Sequence, residues 1–412
     1  MNHLFQKELI LVAMAGTITV LGLSFIIPLF PIYVSQKGAS NFELGLIVSG
    51  FTISQFLVQP FFGGFSDRWG RKPFMVGGLA CYGLVALLYI IADDLYSIFL
   101  VRLLHGLGAG MIWPALAAYI VDHSPVERRG ESMGLLSAVE SIGFAVGPLL
   151  GGMLFSLGGM NLPFLGCSIL AFLAMALIWL FIPGLTEPKR EQKKWWERYG
   201  FSSVRSRDIR LLCVIGFAEA FVWGMIITLL PVMASGLGVP PAKIGWLFSA
   251  YFVVYIFLQG PVGKWSDRRG RKKPILVGMS IYTVAVLLLS QSDSLLYLIV
   301  VLAIAGAGLG IYSPSVRVAI ADLSSEKLRG ASLGFFFTTR MFGFFLGPNI
   351  SGLMADRFGP GFPFMIGSAG LLLAIWATCS LSEELSKGFH GRPSVVLAAG
   401  EAKKKDRLDV QK

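Results

Sequence analysis

Gly63-Gly64-Phe65-Ser66-Asp67-Arg68-Trp69-Gly70-Arg71-Lys72 recurs two hundred residues later as Gly263-Lys264-Trp265-Ser266-Asp267-Arg268-Arg269-Gly270-Arg271-Lys272. Each copy is a short basic, glycine-bearing turn between long apolar runs. The surrounding chain of 412 residues is 55% hydrophobic and only 14% charged, with mean hydropathy +0.70. A soluble protein carries roughly 25% charged residues. Apolar runs of membrane-crossing length fill almost the whole sequence, which predicts many transmembrane helices and excludes an ordinary soluble domain.

Twelve spans are predicted, at about 9–34, 43–66, 74–93, 97–121, 132–156, 163–184, 209–236, 243–266, 274–292, 295–321, 331–356 and 362–382. Several exceed the length needed to cross a bilayer, so tilt or bending is expected. Pro28, Pro31, Pro114, Pro148, Pro231, Pro314 and Pro348 are the expected bend points. Residues 1–185 make an N-terminal six-helix bundle and 209–385 a C-terminal one. The stretch 186–208 between them is a basic linker whose Trp195, Trp196 and Tyr199 suit a lipid interface. The tail 386–412 is polar and ends near Lys403-Lys404-Lys405.

The Lys and Arg residues decide the orientation. With both termini cytoplasmic, 29 of the 35 basic residues fall on the cytoplasmic side, three outside (Lys37, Lys243, Arg357) and three within spans (Arg102, Arg317, Arg340). That asymmetry is the positive-inside pattern. It also explains the net charge of +11 without nucleic acid. The four cysteines lie in apolar runs and read as buried thiols rather than disulfides. The first apolar run is too long for a cleaved signal peptide. No phosphate-binding loop, metal-ligand cluster or nucleophile–base constellation appears, so neither an enzyme nor an ATP-driven pump is expected.

The offset of 200 aligns the halves without gaps over more than a hundred residues. Gly45, Gln59 and Asp67 meet Gly245, Gln259 and Asp267. Gly106, Gly108, Gly110 and Pro114 meet Gly306, Gly308, Gly310 and Pro314. Asp122, Gly147, Pro148 and Gly152 meet Asp322, Gly347, Pro348 and Gly352. Six spans per copy give both copies the same orientation. A parallel repeat of this kind predicts halves that rock around a site near the bilayer midplane.

On these residues the chain resembles the major facilitator superfamily, in its twelve-span drug:proton antiporter branch, over residues 5–385. Gly63-x-x-x-Asp67-Arg68-x-Gly70-Arg71-Lys72 resembles the signature of that family's loop between spans 2 and 3. The resemblance implies a conformational latch formed by Asp67, Arg71 and Asp122 with the start of span 11, near Gly330–Gly334. Asp267 and Arg271 would be its second-half counterparts. The first half carries the fuller set, so the principal latch is expected at Asp67. Arg102-Leu103-Leu104-His105-Gly106 is similar to the branch's R-x-x-Q-G pattern, with His105 in place of glutamine. Gly143-x-x-x-Gly147-Pro148-x-x-Gly151-Gly152 in span 5 resembles the family's antiporter signature. Gly143, Gly147 and Gly151 share one helix face suited to close packing.

Charges inside the bilayer are costly and mark function. Glu140 in span 5 and Glu219 in span 7 are candidate proton carriers. His105 is a third, with a hydrogen-bonded packing role as its alternative. Arg340 occupies the repeat position of Glu140, a candidate cross-cavity pair. Arg317 has Ala117 as its counterpart and suits either an anionic substrate group or a buried carboxylate. Phe25, Trp113, Phe221, Trp223, Tyr251 and Tyr255 are candidate cavity aromatics for flat hydrophobic or cationic compounds. The expectation is an all-α membrane transporter of two pseudo-symmetric six-helix bundles. It would export hydrophobic small molecules or drugs, cationic ones among them, from the cell by proton antiport, as a monomer in the plasma membrane, with the proton gradient in place of a cofactor. Export of a sugar, metabolite or lipid is the alternative within the same fold. A non-transporting receptor or scaffold is the alternative of another class.

Overall fold

The computed structural model describes residues 2–124, 129–184, 206–324 and 328–386. The linker, apart from its last residues, and the tail beyond residue 386 lie outside them. The described chain is helical throughout. Span 1 is Asn2–Ile26 and Phe30–Gln36, broken where Pro28 and Pro31 remove backbone donors. Spans 2 to 6 are Asn41–Trp69, Arg71–Ile91, Leu95–Asp122, Arg129–Gly158 and Asn161–Phe181. Spans 7 to 12 are Arg207–Gly236, Pro241–Arg269, Lys272–Leu289, Leu295–Leu323, Arg329–Phe358 and Phe362–Cys379. The five later prolines leave their helices continuous.

Local chemistry sets the ends. Ser40 and Glu43 form a reciprocal capping box at span 2, at 3.2 and 2.9 Å. Asp94 and its repeat counterpart Ser294 cap spans 4 and 10. The two basic turns each reverse the chain at one glycine, Gly70 at φ 89° and Gly270 at φ 86°. A side chain there would be strained, which is why glycine recurs at both.

The halves pack alike. Span 1 lies against spans 5 and 6, span 4 against spans 2 and 3, and span 3 against span 6; the same pattern repeats six spans on. The halves meet along two seams, spans 2 with 11 and spans 5 with 8. Large apolar side chains such as Leu84, Leu157, Trp179, Phe257, Leu373 and Trp376 stay exposed on the outside of the bundle, as a lipid-facing belt requires. The cysteines are free thiols; Cys167 and Cys213 are buried, but Cys379 is exposed at the end of span 12 rather than in the core.

Candidate functional site at the seams between the halves

Each basic turn is fastened inside its own half. Arg71 pairs with Asp67 one helical turn away, pairs with Asp122 of span 4 at 3.2 Å, and donates to Ser66 Oγ at 2.8 Å. Arg271 repeats this with Asp267, Asp322 at 3.2 Å and Ser266 at 3.1 Å. Both turns carry this triad. In the second half Ser315 also donates to Ser266, and Lys272 donates to the Leu381 carbonyl at 2.8 Å.

The two ends of the seams are in opposite states. Away from the basic turns, the seam glycines touch backbone. A methyl on Gly45 would run into the Pro348 carbonyl, and one on Gly245 into the Pro148 carbonyl. Gly152 abuts the Ala242 carbonyl and Gly352 that of Asn41. Toward the basic turns the seams part. A methyl on Gly134 (span 5), Gly260 or Gly263 (span 8), or Gly330 (span 11) meets nothing within 4 Å. A cavity of about 340 Å³ lies between spans 2 and 11, with Gln59, Pro60 and Gly63 on one side and Gly334, Phe337 and Met341 on the other. Gly334, near the start of span 11, stands across this space from Gly63 of the first turn. The face carrying the basic turns is open between the halves, and the opposite face is shut.

Asp356, which sequence reasoning missed, fastens the shut face. From the end of span 11 its carboxylate accepts the Asn41 backbone N–H at 3.0 Å, the Asn41 amide at 2.8 Å and the Phe42 N–H at 2.9 Å. These include free donors of the first turn of span 2, where a negative charge is favoured. The repeat positions on the other seam cannot form the same fastening. Ser156 stands in place of Asp356 and donates to Gly152 O in its own helix at 2.9 Å, and Pro241, in place of Asn41, has no N–H. Comparing those repeat positions is the signal that could have found the residue. Asp356→Ala is expected to lengthen the distance between spin labels at Lys37 and Arg357 in a cysteine-free background; an unchanged distance distribution would count against the fastening role.

The intramembrane charges sort into unequal sets. Glu219 is 2% exposed and pairs with Arg340 at 2.7 Å, within the second half. The pair expected between Arg340 and Glu140 is thus replaced by one with Glu219. The buried hydroxyls of Tyr251 and Tyr312 lie in the field of that carboxylate. Arg317 (span 10) donates to the Tyr255 hydroxyl (span 8) at 3.5 Å, and its charge reaches Glu140 of span 5 across the seam. Neither Glu140 nor Arg317 has an ion-pair partner within 4.0 Å among the described residues. Beside them Phe144 stacks on Phe252 at 5.1 Å across the same seam, and Trp223 meets Phe252 edge-on at 5.6 Å.

The remaining candidates are packed within single halves. Arg102 is 8% exposed, its guanidinium held over the Phe30 and Phe51 rings at 4.4 and 5.1 Å. His105 is enclosed by Phe51, Tyr82 and Tyr89, with Tyr89 Oη at 3.5 Å from Nδ1. Its other ring nitrogen, Nε2, is buried with no hydrogen-bond partner among the described residues. Gly143, Gly147 and Gly151 seat span 5 against Val20, Ser24 and Phe25 of span 1. Gly343 and Gly347 seat span 11 equally closely on Phe217 and Phe221 of span 7, so the shorter second copy packs as well as the first. Phe25 is thereby a helix-packing residue, Trp113 borders the first-half core, and Tyr251 is buried under Trp223 at 4.8 Å.

Two parallel six-helix bundles, meeting along two seams with ionisable groups between them, define a membrane transporter. The family model of the Major Facilitator Superfamily matches residues 12–210 and 212–404, and the chain belongs to that superfamily. It is 24% identical over 388 residues to Multidrug resistance protein 2 of Bacillus subtilis, covering 92% of this chain and 96% of that one. It is 26% identical over 358 residues to Quinolone resistance protein NorA of Staphylococcus aureus, covering 82% and 87%. Among solved structures it is similar to a bacterial homologue of the human lysosomal transporter Spinster, captured inward-facing and unoccupied. The TM-score is 0.74 at 15% identity, over 92% of this chain and 96% of that chain. The chain is a multi-pass membrane transporter and not an enzyme.

Proposed function

We propose that this protein is a proton-coupled efflux antiporter that exports hydrophobic small molecules bearing a positive charge. The observation that carries the reading is the contrast between its two membrane carboxylates. Glu219 is committed to Arg340, whereas Glu140 stands on a seam without an ion pair among the described residues. An uncommitted carboxylate between the halves can hold either a proton or a substrate cation, but not both, and that competition is what antiport requires. The names of the two drug-resistance relatives supply the substrate class.

The cycle follows from the seams. The basic face is cytoplasmic by the positive-inside rule, so this state is open inward. Substrate enters between the halves and pairs with ionised Glu140. The seams then close inward and open outward. A proton from outside neutralises Glu140 and removes an attraction on the order of 4 kcal/mol at close range in a partly screened interior. Substrate leaves, the halves return, and the proton departs to the cytoplasm. The proton gradient drives the cycle, with a monomer as the working unit.

The test is reconstitution into proteoliposomes with an imposed pH gradient and a fluorescent aromatic cation. Gradient-driven accumulation is expected in the wild type, with loss when a protonophore collapses the gradient. Glu140→Gln is expected to lose at least about tenfold of the driven rate. Undiminished driven accumulation in that variant would overturn the assignment of the proton to Glu140.

A further inference from the structure

One ring stack marks the place on a seam where two membrane charges stand outside the closed pairs. Phe144 and Phe252 stack across the seam of spans 5 and 8 at 5.1 Å. One helical turn toward the basic face, span 5 presents Glu140 and span 8 presents Tyr255, because the two helices run in opposite directions. Tyr255 accepts from Arg317 at 3.5 Å. A carboxylate from one half and a guanidinium from the other therefore stand at the same level. Each is half-buried, and neither is in an ion pair among the described residues.

The other membrane charges are not available to a ligand. Arg340 and Glu219 are ion-paired with each other at 2.7 Å. Arg102 is held between Phe30 and Phe51 inside the first half. Glu140 and Arg317 thus offer a ligand one charge of each sign. A half-buried site accepts a ligand most readily when no charge is left uncompensated. A monocation on Glu140 would leave Arg317 without a counter-charge, and a monoanion on Arg317 would leave Glu140 without one. A zwitterion satisfies both.

We propose that the substrate of this site is a zwitterionic aromatic amphiphile. Its ammonium group binds Glu140, its acid group binds Arg317, and its ring lies against Phe144, Phe252 and Trp223. The proposal rests on the antiporter reading above and narrows it from cations to zwitterions. Proton competition at Glu140 is unchanged, since a protonated Glu140 no longer holds the ammonium. Binding the acid group on Arg317 also ties spans 5 and 10, one from each half, through the substrate.

The test uses the full chain in lipid nanodiscs and three fluorescent probes that differ only in charge. These are Nε-dansyl-lysine, a zwitterion; its methyl ester, a cation; and its Nα-acetyl derivative, an anion. The zwitterion is expected to bind about tenfold tighter than either derivative. Arg317→Gln is expected to erase its advantage over the ester, and Glu140→Gln its advantage over the acetyl derivative. Equal binding of zwitterion and ester by the wild type overturns the proposal, and that comparison decides the matter alone if a variant does not fold. A preference that survives Arg317→Gln also overturns it. Proton-driven flux of the aromatic cation, measured separately, distinguishes the two readings. Flux without the zwitterion preference defeats only this inference, and preference without flux defeats only the proton coupling.

Discussion

Glu219→Gln is expected to cost about 3 kcal/mol of stability, the low end for breaking a buried pair, because it leaves the partly buried Arg340 without its counter-ion. The side chain of Glu219 is 2% exposed and that of Arg340 28%, so the guanidinium has little water to fall back on. A whole folded domain is stable by only about 5–15 kcal/mol. The single variant should therefore melt well below the wild type in detergent. Removing both charges, as Glu219→Gln with Arg340→Gln, should recover most of the loss, since no isolated charge then remains. Thermal melting of the two variants checks this. Flux provides a second measurement: with the proton on Glu140, the folded double variant keeps gradient-driven transport. A double variant that folds but has lost coupling would move the proton to Glu219.

The second large effect is expected at the shut ends of the seams. Gly45→Ala and Gly245→Ala each place a methyl against a backbone carbonyl that no rotamer change can move. Overpacking of this kind costs about 1–3 kcal/mol per site. The gain in helix propensity from glycine to alanine is about 1 kcal/mol, but it is common to both states and drops out of their ratio. Only the state with these seams closed bears the clash. The population should shift toward the opposite opening by on the order of tenfold or more per site. Reactivity of cysteines placed along the shut ends of spans 5 and 8 would report it as faster labelling. Gly260→Ala is the control, since its methyl meets open space in this structure. Equal labelling of Gly245→Ala and Gly260→Ala would show that the seam contacts do not govern the equilibrium.

Much of this architecture was legible in the sequence, and for physical reasons. A bilayer demands long apolar helices, so the spans read directly from composition. The repeat of the Asp67 turn at Asp267 pointed to the two bundles and their common orientation. The proline pair of span 1 marked a break that the structure contains. Charge pairing was not legible. An offset of 200 says that Glu140 and Arg340 are equivalent under rotation, and equivalent residues lie on opposite sides of the axis rather than in contact. Arg340 found Glu219, which packing of spans 7 and 11 brings near. The second turn holds its triad without a counterpart of Arg102, because the ion pairs need only Asp267, Arg271 and Asp322. Asp356 escaped notice because a lone acid beside Arg357 at a helix end looks like an ordinary loop charge. Its meaning depends on Asn41, more than three hundred residues earlier.

That carboxylate also makes the two seams mechanically unlike. Parting spans 2 and 11 breaks three hydrogen bonds to a charged group, while the aligned positions of spans 5 and 8 part without breaking any such bond. Bonds to charged groups are worth about 1.5–3 kcal/mol each before exposure to solvent reduces them. A door with one side bolted swings from that side. Opening of the shut face then begins between spans 5 and 8, and the bolted seam acts as the jamb. Cargo held by Glu140, itself on span 5, would leave through a lateral slit beside its own binding group rather than through a central pore.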